Sequence, residues 1–160
     1  MNSGTLIFFC GKMGAGKSTK SRKVATERNA VLISEDEWLA ILFPDEISTF
    51  DDYLLYSRRL KPLLQSHIEG LLRAGTSVVL DFPANTAKQR DWFKQLVSDA
   101  GSPYEFYYIE VSDELCLSQI AQRRVEQPQR AIFDTEAVFH QVNKYFEAPD
   151  ESEGLEIRYA

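Results

Sequence analysis

The chain is short of the residues that staple or ligate. Two cysteines, Cys10 and Cys116, and two histidines, His67 and His140, are all that its 160 residues contain. The cysteines lie far apart and in no CxxC pair, which excludes a disulfide framework and a thiolate zinc site. Both read as buried free thiols in a reducing, cytoplasmic setting. The histidines have no carboxylate or cysteine at metal-ligand spacing. No apolar run approaches the roughly 18 residues that span a bilayer, and the start lacks the basic flank and apolar stretch of a secretory signal, so no membrane association is expected. Basic charge is scarce too. Eighteen Lys and Arg face 24 Asp and Glu, for a net charge of −6, which argues against a chain devoted to nucleic-acid backbones. The one basic knot is Arg123, Arg124 and Arg130.

What remains is an ordinary globular composition, with 44% hydrophobic and 26% charged residues, and a length that fits one domain over 1–160. There are no repeats, low-complexity tracts or linkers. Strands are expected at 5–10 (TLIFFC), 30–34, 77–82, 104–111 and, at an edge, 154–160. Helices are expected at 17–28, 50–74, 85–101, 112–124 with Ser112 as cap, and about 135–147. Pro62 inside the 50–74 run predicts a kink or two separate helices, and Gly75 suits a left-handed cap at its end. Strands alternating with helices imply an α/β fold: a five-stranded, mostly parallel sheet with helices on both faces. Right-handed crossovers gather the strands' carboxyl ends on one edge, where ligands bind.

The polar features fall just after strands. GKMGAGKS, Gly11 to Ser18, fits G-x-x-x-x-G-K-[ST] at every fixed position, with a strand before it and a helix after it. Glycines let the backbone of Gly11, Lys12, Met13, Gly14, Ala15 and Gly16 turn its amides inward as an anion nest at a helix N-terminus. Lys17 is placed to reach the outer phosphates of a nucleoside triphosphate, Ser18 to hold Mg²⁺ and Thr19 to meet the inner phosphate. A plain strand-to-helix turn needs no lysine or hydroxyl at these offsets.

Three further features bear on what is done with the triphosphate. Asp36, in SEDEW after the second strand, is placed to accept a proton from an acceptor hydroxyl and align it for in-line attack, or else caps a helix; Glu35 and Glu37 are its rivals. Asp81, closing VVLD, suits a water-mediated Mg²⁺ ligand or a turn cap. Arg123, Arg124 and Arg130 border a lid at about 122–134, where cations close over the transferring phosphoryl group, although a helix C-terminus favours cations in any case. Trp38, Trp92 and the YEFYY aromatics read as core, although Trp38, with Tyr53 and Tyr56, is also placed to line an acceptor pocket. No N-K-x-D guanine reader is present.

The P-loop, Asp36, VVLDFPANTAKQRDWF, CLSQIAQRR and HQVNKYFEAPDESEG together resemble the ATP-binding small-kinase family that includes the kinase half of polynucleotide kinase. More distantly, the chain is similar to chloramphenicol phosphotransferase and zeta-toxin kinases. The resemblance implies a three-layer P-loop NTPase fold like that of nucleoside-monophosphate kinases, ATP and Mg²⁺ as cofactors, a base at Asp36 and a lid arginine at Arg123. Polynucleotide kinases carry D-T-N where this chain has Asp81-Phe82-Pro83, and relatives often have arginines at Gln119 and Ala121. The expected activity is transfer of the γ-phosphoryl group of ATP to a hydroxyl of a small molecule. The alternatives are a 5′-hydroxyl polynucleotide kinase and a nucleotide-dependent switch that binds a protein partner.

Overall fold

In the computed structural model, which describes residues 2–160, the apolar run Leu6–Cys10 forms β1, and all five of its residues are buried. Leu6, Phe8 and Cys10 face one side of the sheet, Ile7 and Phe9 the other. A strand buried on both faces has no polar side, which is why its sequence does not alternate. The other strands are β2 (Val31–Ser34), β3 (Val78–Asp81), β4 (Tyr104–Tyr108) and β5 (Ile157–Tyr159). Their order is β2-β3-β1-β4-β5, and every pairing is parallel.

Helices cover both faces, giving three layers. α3 (Phe50–Arg73) and α4 (Ala87–Ala100) pack on one. Leu60, Leu64, Ile68 and Leu72 recur every four residues along α3, and this stripe meets Leu6, Phe8, Val78 and Leu80. Phe8 stacks on Phe93 of α4 at 4.4 Å and on Phe106 of β4 at 4.8 Å; leaving water contributes about 1.5–3 kcal/mol for each such ring. On the opposite face, α1 (Lys17–Arg28), α5 (Asp113–Glu126) and α6 (Glu136–Asn143) bring Val24, Ile120 and Phe139 against Ile7, Phe9 and Val79. A short helix, α2 (Glu35–Leu42), follows β2 directly.

Several expectations are corrected. α3 runs through Pro62 as one helix, not two. Pro62 and Arg58, whose carbonyl loses its partner, are both exposed, so water replaces the missing bond while the buried stripe holds the helix together. β4 stops at Tyr108 and β5 spans three residues, with single backbone bonds just beyond them, from the Ile109 amide to the Cys10 carbonyl and from the Ala160 amide to the Tyr108 carbonyl. α6 ends at Asn143, and residues 144–156 then cross the carboxyl edge of the sheet with a single 3₁₀ turn, Glu151–Glu153. α5 extends to Glu126, and a 3₁₀ turn at Pro128–Arg130 occupies the expected lid. Both cysteines are free and buried, with desolvation raising Cys10 to about 11. No helix among the described residues is long and apolar enough to cross a membrane.

Candidate active site

β1 is where the chain changes direction across the sheet: β2 and β3 lie to one side, β4 and β5 to the other. The crevice of an open parallel sheet forms at such a point, and the glycine-rich loop leaves β1 there. Its curvature rests on two left-handed glycines, Gly14 at φ +83° and Gly16 at φ +98°. At Gly14 space is also limiting, since a Cβ would stand 2.6 Å from the carbonyl oxygen of Cys116 on α5. α2, α3, α4, α5 and α6 each begin with a Ser or Thr side chain accepting a backbone N–H, whereas α1 has Gly16 at its cap and no such bond. Its first amides are therefore left for an anion, at the positive end of the helix dipole.

Lys17 opens α1 and folds back over the loop, donating to the carbonyl of Gly11 and, at 3.4 Å, to that of Lys12. Burial lowers its pKa, and Asp81, then Cys10 and Asp36, pull it back. The Ser18 hydroxyl and the Asp81 carboxylate form no hydrogen bond among the described residues, and Thr19, next along α1, is exposed. Lys12 pairs with Asp113 at 2.9 Å and lies over the Phe146 ring. A cavity of about 360 Å³ opens on that flank, between Lys12 and the Tyr108–Glu114 segment; neither Lys17, Asp36 nor any lid arginine lines it.

Register carries the acids to the same edge. Ser34 of β2 pairs with Asp81 of β3, so Asp36 in the first turn of α2 lies just beyond Asp81. The Asp36 side chain is 59% exposed and takes an ion pair from Arg130 at 3.8 Å. Its pKa is raised by the loss of hydration in the cleft, against the pull of Arg130, with Asp81 adding to the rise and Arg123 and Lys17 opposing it. Glu35, the rival acid, points the other way: it is 1% exposed and accepts hydrogen bonds from Tyr53 and, at 2.7 Å, from Ser57. Glu37 is exposed, and its backbone amide donates to the Ser34 cap.

The lid arginines divide. Arg123 donates from Nε at 2.9 Å and from Nη2 at 2.6 Å to Asp134, and Arg130 donates from Nε to the same carboxylate at 3.1 Å. Arg124, about 100° further round α5, is exposed and joins no ion pair among the described residues. Phe82 and Trp92 stack at 5.5 Å beneath the site, so the departure at position 82 serves the core. Trp38 and Tyr56 also pack on the core, Tyr56 against Phe43, while the Tyr53 hydroxyl turns to Glu35. Three site residues escape sequence reasoning: Asp134, Glu35 in its buried role, and Asn85, whose Oδ1 accepts the Gly11 amide at 3.0 Å. Each acts through side-chain burial or a contact that no spacing motif records, and the single legible signal is FDT, an acid placed before a Thr cap.

The donor set fits the groups the loop implies. An uncapped amide ring with a lysine suits a polyphosphate. Two unpartnered oxygens suit Mg²⁺, which takes one or two protein ligands and completes its shell with water and phosphate; no cluster of three His, Cys, Asp or Glu is present among the described residues.

A putative kinase from Chloroflexus aurantiacus J-10-fl superposes with a TM-score of 0.79 at 17% identity, covering 99% of this chain and 88% of its own. The Mycobacterium tuberculosis APS kinase CysC, solved with AMPPNP and APS, gives 0.61 at 18% identity over 94% and 86%. The Pnkp1/Rnl/Hen1 RNA repair complex gives 0.62 at 19% over 92% and 47%. At these identities the likeness is one of fold, a P-loop kinase-like fold. No curated protein sequence matches the chain. The family model described as AAA domain matches residues 6–149, nearly the whole chain, and the protein therefore belongs to that family.

Proposed function

We propose that the protein is an ATP-dependent phosphotransferase that moves the γ-phosphoryl group of ATP to a hydroxyl of a small-molecule acceptor. One observation supports this reading above the rest. Arg130 pairs with the exposed carboxylate of Asp36 at 3.8 Å and shares the buried Asp134 with Arg123, so two lid cations stand at the strand-end acid beyond the glycine-rich loop. Such a concentration of positive charge calls for an anion, and an exposed carboxylate beside it gives that anion something to react with.

Amides from Gly11 to Ser18 bind the phosphates, Thr19 meets the inner one, and Lys17 leaves the loop carbonyls for the outer ones. Ser18 and Asp81 would hold Mg²⁺, which would supply positive charge beside the phosphates. Asp36 accepts the acceptor's proton as the hydroxyl attacks in line. Arg123 and Arg130 meet the charge on the transferring group from the lid side. The net charge of −6 and the apolar Phe82 favour a small acceptor over a polynucleotide. A protein-binding switch would leave the Asp36 carboxylate without a task.

Transfer of radiolabelled γ-phosphate to pooled metabolites, antibiotics and oligonucleotides tests the reading. Asp36→Asn is expected to retain ATP binding and lose transfer by about 10²–10⁴-fold; an unimpaired rate removes Asp36 as base. Since Asp36 works deprotonated, the wild-type rate is expected to fall as pH drops through the range where that carboxylate takes up a proton.

A further inference from the structure

Asp134 has no part in the scheme above, yet its carboxylate is wholly buried and is hydrogen-bonded by two arginines at once. It precedes the Thr135 cap of α6, while Arg123 ends α5 and Arg130 lies on the turn between them. One buried negative charge thus holds two positive ones, and the second carboxylate in reach, Asp36, is exposed and faces Arg130 alone at 3.8 Å. A carboxylate shut away from water has no other source of compensation, so it fixes both guanidiniums where they stand. Both arginines remain partly open to solvent, at 28% and 30% of their side chains. Arg123 uses Nε and Nη2 on Asp134, which leaves Nη1 without a partner among the described residues. Arg130 uses Nε there and turns Nη1 toward Asp36 at 3.8 Å.

We propose that Asp134 is the positioning residue of the lid: its buried carboxylate holds Arg123 and Arg130 with their free N–H edges toward the Asp36 end of the site, so that the chain prefers a triphosphate over a diphosphate. The proposal rests on the phosphotransferase reading, since Asp36 marks the end of the nucleotide at which transfer occurs. Arginines anchored beside it meet the outermost phosphate and gain nothing from a nucleotide that lacks one. Preorganisation gives the second part of the argument. Two long side chains already fixed lose little freedom when the phosphate arrives, whereas unanchored ones must be ordered by it.

Calorimetric titration of the whole chain with MgATP and with MgADP tests this. Wild type is expected to bind ATP more tightly than ADP. Asp134→Asn, which has the same shape without the charge, is expected to lose about tenfold of that preference, the worth of one charge-assisted hydrogen bond, with ADP affinity nearly unchanged. In an Arg123→Ala, Arg130→Ala background the preference is already gone, and adding Asp134→Asn is expected to change nothing further. Asp134→Glu keeps the charge but moves it outward by one methylene, and is expected to lose part of the preference. That chain provides the measurement if the asparagine variant does not fold. An undiminished preference in either single variant, or an equal loss for both nucleotides, overturns the assignment and leaves Asp134 a structural tie. A wild-type chain that binds neither nucleotide overturns the phosphotransferase reading itself, and this inference with it.

Discussion

Gly14 shows how little freedom the loop has. Its φ of +83° is a conformation other residues adopt at a cost, and a side chain there would meet the Cys116 carbonyl and the Ile120 side chain at 2.6 Å and 2.8 Å. Gly14→Ala is expected to push the loop off α5, lowering the melting temperature and weakening MgATP binding by about tenfold or more; differential scanning fluorimetry with and without nucleotide reads both effects. Gly16 differs, for its surroundings are open and only its φ of +98° is restrictive. Lys17, Ser18 and the glycines were all legible in the sequence, because their roles depend on spacing within eight residues. Asp134 was not legible, since its role comes from Arg123 eleven residues earlier and from complete burial.

α2 carries Asp36, and what aims α2 is its neighbour. Glu35 is locked onto Tyr53 and Ser57 of α3, which turns the next residue outward to the cleft. Burial raises the Glu35 pKa despite those two hydrogen bonds. The folded chain therefore holds this proton more tightly than the unfolded chain does. Between the ordinary glutamate value and the raised one, stability is expected to fall as pH rises. Glu35→Gln removes the titration, so its stability is expected to lack that slope; urea midpoints across a pH series compare the two chains. α3 itself was legible as a length of helix from its four-residue stripe, but its continuity through Pro62 was not. Continuity depended on which face the proline occupies, and only packing shows that.

The last seventeen residues tie the molecule together. Residues 144–156 cross the carboxyl edge before β5 adds itself beside β4. Arg90 on α4, 1% exposed, pairs through Nε and Nη2 with Glu153 at 2.9 Å and 3.2 Å and donates from Nη1 to the Ala84 carbonyl at 3.0 Å. Next to that carbonyl, Asn85 accepts the Glu147 amide on its backbone oxygen and the Gly11 amide on its side chain. The crossing segment is thereby coupled to the first residue of the loop. Arg90→Met keeps the volume but strands Glu153, and is expected to cost about 2–4 kcal/mol in urea denaturation, with hydrogen exchange rising first in 144–156.

The sequence by itself determined the α/β alternation, the loop from Gly11 to Ser18 and the strand-end acids Asp36 and Asp81. Each of these is written in short-range pattern: buried parallel strands as unbroken apolar runs, helices as four-residue stripes, an anion nest as glycines at set intervals. Only the tertiary structure decided that Arg123 and Arg130, but not Arg124, share one buried carboxylate, that Glu35 faces inward while Asp36 faces the cleft, and that Asn85 steadies the loop. The reason is physical. Which way a side chain points, and whether its charge is buried, depends on strand order and on elements packed from tens of residues away, and such contacts leave no periodic trace along the chain.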